Sequence, residues 1–231
     1  TLKGIKGFRV KTLSTDTVAS GISSATWASG GNIPQALYEN AGAGATHTAA
    51  LNFGGQGNSP GPAHPHSADT QNYNGTSWTE VNNLNNSRRL LAGAGTSTSA
   101  LAFGGYTVPP AGNTQAYTES WDGTSWTEVN DLNTARMYIQ GIGVSNTAAL
   151  LGGGANPATT VVANTESWNG TSWTEVNEIN TARARFGSTG TSTAGLMMSG
   201  LAPANDYYAI TESWDGTNWT EVGDLNTGRN T

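Results

Sequence analysis

The side chains of this chain that could do chemistry are few, and most of them recur. His64 and His66 flank Pro65, and Asp69 follows three residues later. Two imidazoles and a carboxylate are metal ligands by type, but a zinc centre needs at least three ligands held in place. The remaining histidine, His47, stands well away in the chain. The expectation is therefore no metal and no cofactor. Acid–base hydrolysis needs a carboxylate pair placed once in a fold. Glu80, Glu128, Glu175 and Glu221 instead fall in one recurring phrase, and residues that recur in every repeat are structural. The chain is expected not to be an enzyme. It contains no Cys, which excludes thiolate metal sites, Cys nucleophiles and disulfides.

Arg88, Arg136, Arg183 and Arg229 also share one slot, at the start of the first strand of each repeat. Such a ring of guanidinium groups close to an axis would suit an anionic sugar. The other reading is a fixed ion pair with a carboxylate of the neighbouring repeat, such as Asp131 or Glu178, because Arg is suited to rigid bidentate pairing.

A third set of candidates lies where the repeats diverge. The stretches 56–69, 106–113, 154–164 and 201–209 each contain Pro and differ in length and sequence. Their flanks repeat closely. Variable loops on a rigid scaffold are where binding surfaces are built, and also where sequence drifts freely. Tyr106, Tyr207 and Tyr208, with His64 and His66, are the binding candidates in these loops.

The elements that must position these residues follow from one phrase. It reads SWTEVNNLNNSRR from Ser77, SWTEVNDLNTAR from Ser125, SWTEVNEINTAR from Ser172 and NWTEVGDLNTGR from Asn218. Its tryptophans, Trp78, Trp126, Trp173 and Trp219, recur at intervals of 48, 47 and 46 residues. A strand-rich period in the forties predicts a β-propeller. Each repeat supplies a Gly-rich first strand and an apolar second strand ending in Gly-Gly: Gly54-Gly55, Gly104-Gly105 and Gly152-Gly153, with Ser199-Gly200 last. A hairpin of two aromatic strands follows.

Asn74-Gly75, Asp122-Gly123, Asn169-Gly170 and Asp215-Gly216 predict two-residue hairpin turns, since both turn positions need φ > 0. That register pairs Trp121 with Thr124 and puts Tyr117, Trp121 and Trp126 on one face. It predicts Trp126 and Trp173 between blades, and Trp121 and Trp168 nearer the tip and less buried. The four blades are expected at about 36–84, 87–132, 135–179 and 182–225. Residues 1–35 are expected to add an N-terminal hairpin, with Trp27 in the repeated Trp slot, as outer strands of a further blade. A chain that starts and stops mid-pattern suggests a piece of a longer protein in which five blades close.

Composition narrows the partners. The net charge is −6, and all three lysines lie within the first eleven residues. That is a poor match for nucleic acid, whose affinity comes from Lys and Arg contacts to phosphate. No apolar run approaches the roughly 20 residues of a membrane-spanning helix.

LAFGG at 101–105, Tyr117 with Trp121, Trp126 and the following LNTAR together resemble the kelch repeat. The hairpin is shorter than in kelch, and Trp often stands where kelch has Tyr. The Gly-Gly slot separates the chain from WD-dipeptide repeats, and SWDGTSW is one residue short of a sialidase Asp-box. A kelch-type copper oxidase would need a Cys. The wording of the whole repeat, LLAGAGTSTSALAFGG followed by TESWDGTSWTEVNDLNTAR, looks like the kelch-like repeats encoded by marine bacteriophages. That resemblance implies a virion or tail-fibre-like protein on an extracellular particle. Its implied partners are other virion subunits and a host-surface glycan or receptor, with homo-oligomers as a further possibility. The alternative is a bacterial extracellular adhesin or carbohydrate-binding module.

Overall fold

A computed structural model describes residues 30–57, 66–107, 113–203 and 206–229. The chain divides at Gly31, and the unit from Gly31 onward is described below. The expected N-terminal hairpin lies outside the described residues.

The unit is an all-β propeller of four blades, each a sheet of four antiparallel strands. Blade one contains β2 (Ala41–Thr46), β3 (Ala49–Phe53), β5 (Thr70–Tyr73) and β6 (Trp78–Val81). Beside it, β1 (Leu37–Tyr38) pairs with β4 (Gln56–Gly57). Blade two contains β7 (Ala92–Thr96), β8 (Ser99–Phe103), β9 (Thr118–Trp121) and β10 (Trp126–Val129). Blade three contains β11 (Gly141–Ser145), β12 (Ala148–Gly152), β13 (Thr165–Trp168) and β14 (Trp173–Val176). Blade four contains β15 (Gly187–Thr191), β16 (Ala194–Met198), β17 (Thr211–Trp214) and β18 (Trp219–Val222).

The first strands pack in succession, β2 on β7, β7 on β11 and β11 on β15, and no comparable packing joins β15 to β2. Their small residues permit this approach. A Cβ on Gly93 would stand 2.4 Å from the Gly42 carbonyl oxygen, and one on Gly141 would stand 2.4 Å from that of Gly93. Real side chains do not tolerate such contacts. In blade four the same position is Ser188, whose hydroxyl donates to the Gly141 carbonyl at 3.1 Å.

The cores lie between blades. Phe53 of blade one meets Trp126 of blade two edge-on at 4.9 Å, and Phe103 meets Trp173 in the same way at 4.9 Å. Trp126 Nε1 donates to Thr70 Oγ1 and Trp173 Nε1 to Thr118 Oγ1, at 2.9 and 3.1 Å. In blade three Gly152 takes the Phe position. Met197 fills the space, its sulfur 3.0 Å from where a Gly152 Cβ would stand. The positive-φ pair that ends the apolar strand is accordingly Gly153-Gly154, one residue later than the sequence reading placed it.

The hairpins correct two expectations. Trp121 pairs directly with Trp126, Trp168 with Trp173 and Trp214 with Trp219. The turn is thus a four-residue loop, not the two-residue turn that Asx-Gly suggested. The Asx side chain caps it: Asp122 Oδ1 accepts the backbone N–H of Thr124 and Ser125, both at 2.8 Å. Asn74, Asn169 and Asp215 do the same. The shifted register sets the two indoles of each hairpin against each other, 5.3–5.5 Å apart in blades two to four. Trp121 and Trp168 are therefore no less buried than their partners, at 1% and 2% exposed against 6% and 5% for Trp126 and Trp173. Trp121 Nε1 donates to the Ser97 carbonyl and Trp168 Nε1 to the Asn146 carbonyl, at 3.1 and 2.9 Å.

Candidate functional site

One face of the propeller carries the segments leading into each blade and the described parts of the four variable stretches. Short bridges tie them together. Arg89 bridges Tyr106, which bridges Thr114; Met137 bridges Ala155, which bridges Val161; Ala184 bridges Leu201, which bridges Tyr207. In blade one β1 pairs with β4, and Gln56 bridges His66. His66, Thr114, Val161 and Tyr207 thus hold one structural position, in four different chemistries. Hairpin turns occupy the opposite ends of the strands, where the sequence repeats.

At the centre of this face lies a second ring of equivalent positions. Glu39, Leu90, Tyr138 and Arg185 have φ of +57°, +57°, +57° and +53°. None is Gly, although positive φ is unfavourable for any side chain. Backbone pairing holds them there: Leu90 N–H donates to the Glu39 carbonyl at 2.9 Å, Tyr138 N–H to that of Leu90 at 3.2 Å, and Arg185 N–H to that of Tyr138 at 3.0 Å. The conformation recurs with the same backbone bond in successive blades, so it belongs to the scaffold, and what differs is the side chain it presents. These four side chains, with Asn40, Leu91, Ile139 and Gln140, line a cavity of about 240 Å³. A second cavity of about 380 Å³ shares Tyr138 and Arg185 and continues between the variable stretches of blades three and four.

The charges around the ring are unevenly matched. Arg89 Nη1 donates to Glu39 Oε2 at 2.6 Å and to Gln56 Oε1 at 2.8 Å. Its guanidinium also lies 5.5 Å from the centre of the Tyr106 ring, and His66 packs 6.0 Å from the same ring. Burial, with the nearby Arg89 cation second, lowers the His66 pKa, so the imidazole is held neutral further into acid than a free His. Across the ring, Arg185 lies over Tyr138 at 4.1 Å from its centre. No carboxylate pairs with Arg185 among the described residues.

The binding candidates read from sequence separate accordingly. His66 and Tyr106 come together around Arg89. Tyr207 is 59% exposed and stands apart on blade four, beside the half-buried Tyr208. His64 lies outside the described residues. Among those residues no group of three or more His, Asp or Glu is placed to hold a metal ion.

The arginine slot is not an open ring of guanidinium groups. Arg88, Arg136 and Arg183 are fully buried. Arg88 pairs with Glu119, Arg136 with Glu166 at 2.5 Å and Arg183 with Glu212 at 2.9 Å. The partner belongs to the third strand of the blade that the Arg leads into, and not to a neighbouring blade as expected. Asp131 instead accepts the backbone N–H of Thr118 at 3.0 Å. Arg136 also donates to the carbonyls of Gly153 and Asn164, at 3.1 and 2.6 Å. Burial lowers all three arginine pKa values, against the opposing pull of the paired glutamates. Only Arg229, after blade four, is exposed. A sugar has no access to the three buried members.

Sequence reasoning missed Glu39, Tyr138 and Arg185. A partial signal was present: the repeated phrase ends at the slot arginine, and two residues later stand Leu90, Tyr138 and Arg185. Comparison of the sequence with known protein families and with curated proteins finds no match.

Proposed function

We propose that this chain is a non-enzymatic binding propeller of a phage particle, tail-fibre-like or decorating, that attaches to a host-surface glycan or protein receptor. The observation that carries the binding part is the segregation of sequence variation. Strands and hairpin caps repeat from blade to blade and buried ion pairs repeat through blades two to four, while the central ring and the described parts of the variable stretches differ and share one face. A rigid scaffold presenting divergent loops is the arrangement that recognition uses. The recurring carboxylates support a non-catalytic role, because Glu119, Glu166 and Glu212 are committed to buried arginines. The particle part rests on the likeness of the repeat wording to kelch-like phage repeats.

The test has two arms. Mass spectrometry of purified particles should find the chain in the virion. Exchanging stretch 201–209 for the corresponding stretch of another blade should abolish adsorption to host cells, with the melting temperature unchanged. Adsorption that survives this exchange and the equivalent one at 56–69 would refute the assignment of the binding face. A chain missing from particles but bound to a bacterial surface would favour an adhesin.

A further inference from the structure

We infer that the central cavity at Tyr138 and Arg185 binds one carboxylate-bearing sugar residue, with Arg185 as its anion anchor. This rests on the binding reading above and names the chemistry of its ligand. The argument begins with charge. Glu39 is already neutralised by Arg89 at 2.6 Å. Among the described residues Arg185 makes no ion pair, and its guanidinium makes no hydrogen bond; it only lies over Tyr138 at 4.1 Å. The cavity wall therefore carries one unmatched cation, on a chain whose overall charge is −6. That cation is half-buried and stacked over the Tyr138 ring. An oriented guanidinium offers a planar pair of N–H donors, which matches a carboxylate better than any neutral group.

Size and surroundings select a sugar. The cavity of about 240 Å³ is smaller than the roughly 300–1,000 Å³ clefts that enclose drug-sized molecules, so it suits a single ring. Its lining includes the buried, apolar Leu91 and Ile139 and the exposed polar residues Asn40 and Gln140, of which Asn40 donates its amide to Asn52 Oδ1. A lining of apolar and polar residues suits a pyranose, which has C–H faces and a hydroxyl edge. An extended acidic peptide fits less well. It would need free backbone groups to pair with, and ring N–H groups at Leu90, Tyr138 and Arg185 are bonded to the preceding ring carbonyls.

The experiment titrates the whole chain with glucuronate and N-acetylneuraminate, each beside its methyl ester, and with an acidic tripeptide. Binding is read by saturation-transfer NMR and calorimetry. At least one acid should bind, with its ester at least about tenfold weaker, the loss expected for one charge-assisted hydrogen bond. Arg185→Gln should bring the acid down to the level of the ester, and Arg185→Lys should retain part of the difference. The acid–ester comparison in the unaltered chain does not depend on any variant folding. Equal binding of acid and ester, no binding of either acid, undiminished binding in folded Arg185→Gln, or a preference for the peptide would each overturn the inference. Loss of adsorption on exchange of 201–209 without acid binding would sink this inference alone. Acid binding with adsorption intact would leave it standing while the attachment reading fails.

Discussion

Arg136 and Glu166 offer the sharpest test of how the blades are held. Both are essentially inaccessible to solvent, at 0% and 2% side-chain exposure. Glu166 also accepts from Asn133 N–H and Nδ2 at 2.8 and 2.9 Å and from Thr134 N–H at 3.4 Å, so one carboxylate ties the connecting segment to the blade. Arg136→Leu removes the cation and two carbonyl hydrogen bonds, and leaves a buried carboxylate. Glu166→Gln leaves a buried guanidinium. Breaking a buried pair from one side costs about 3–5 kcal/mol. At about 2–4 °C per kcal/mol for a chain of this size, the melting temperature should fall by roughly 6–20 °C.

Blade one shows how both charges can be dispensed with together. There Leu37 stands in the Arg slot, Gln71 in the Glu slot and Pro34, which has no N–H, in the slot of Asn133. Gln71 is still buried, and its Oε1 accepts from Asn52 at 3.4 Å. The double variant Arg136→Leu/Glu166→Gln copies that combination and leaves no unpaired charge. Its loss should fall short of the summed single losses by about 1.5–3 kcal/mol, the upper range for directly coupled residues. Urea denaturation followed by tryptophan fluorescence and by circular dichroism measures all three, and coincident transitions license the comparison. The reasoning fails if the double variant loses as much as the two singles added, or if either single costs under about 1 kcal/mol, the worth of an ordinary neutral hydrogen bond.

Two further outcomes are expected. Trp121→Ala and Trp126→Ala should each destabilise by about 3–5 kcal/mol, since both rings are buried and packed on each other; a much smaller loss at Trp121 in the same urea assay would restore the shorter turn. Backbone N–H bonds from Ser125 and Thr124 lower the Asp122 pKa, and those from Asn218 and Thr217 lower that of Asp215. With folded pKa values below unfolded ones, the stabilisation is complete above the ordinary carboxylate range and is lost as pH falls through the lowered folded values. NMR should show the amides of Thr124, Ser125, Thr217 and Asn218 titrating in acid with depressed midpoints. Thr76, Ser77, Thr171 and Ser172, capped by Asn74 and Asn169, should not respond; a common response in all four hairpins would refute the assignment.

How much was legible in the sequence follows from what each part depends on. The propeller and its blades are written in the Trp period, because each blade must bury the same face against the next. The hairpin was misread because Asp-Gly has two solutions: a two-residue turn with both φ positive, or a longer loop capped by the Asp side chain. Only Gly123 has positive φ here, and the choice depends on whether Trp121 and Trp126 gain by facing each other. The buried arginines were recognised as repeated, with an ion pair as one of two readings of them. Their partners were not, since Glu119 lies 31 residues from Arg88 and meets it only once the blade has folded. The central ring was missed for a related reason: nothing in a linear sequence marks a non-Gly residue as having positive φ.

That ring explains how a repetitive chain can carry a single site. Each blade must satisfy the same demands: glycines where first strands touch, an Arg–Glu pair or its neutral substitute, and an Asx cap at the hairpin. These demands fall on the close strand contacts, the ion-pair slots and the hairpin caps, so variation there is expensive. The residue two places after the slot arginine escapes them, because its backbone is held by the preceding blade's carbonyl and its side chain faces the cavity. Glu39, Leu90, Tyr138 and Arg185 therefore differ at no cost to the scaffold. Four copies of one position then give four different functional groups around one cavity. Recognition can change through this ring and the adjoining stretches while the interblade cores stay constant.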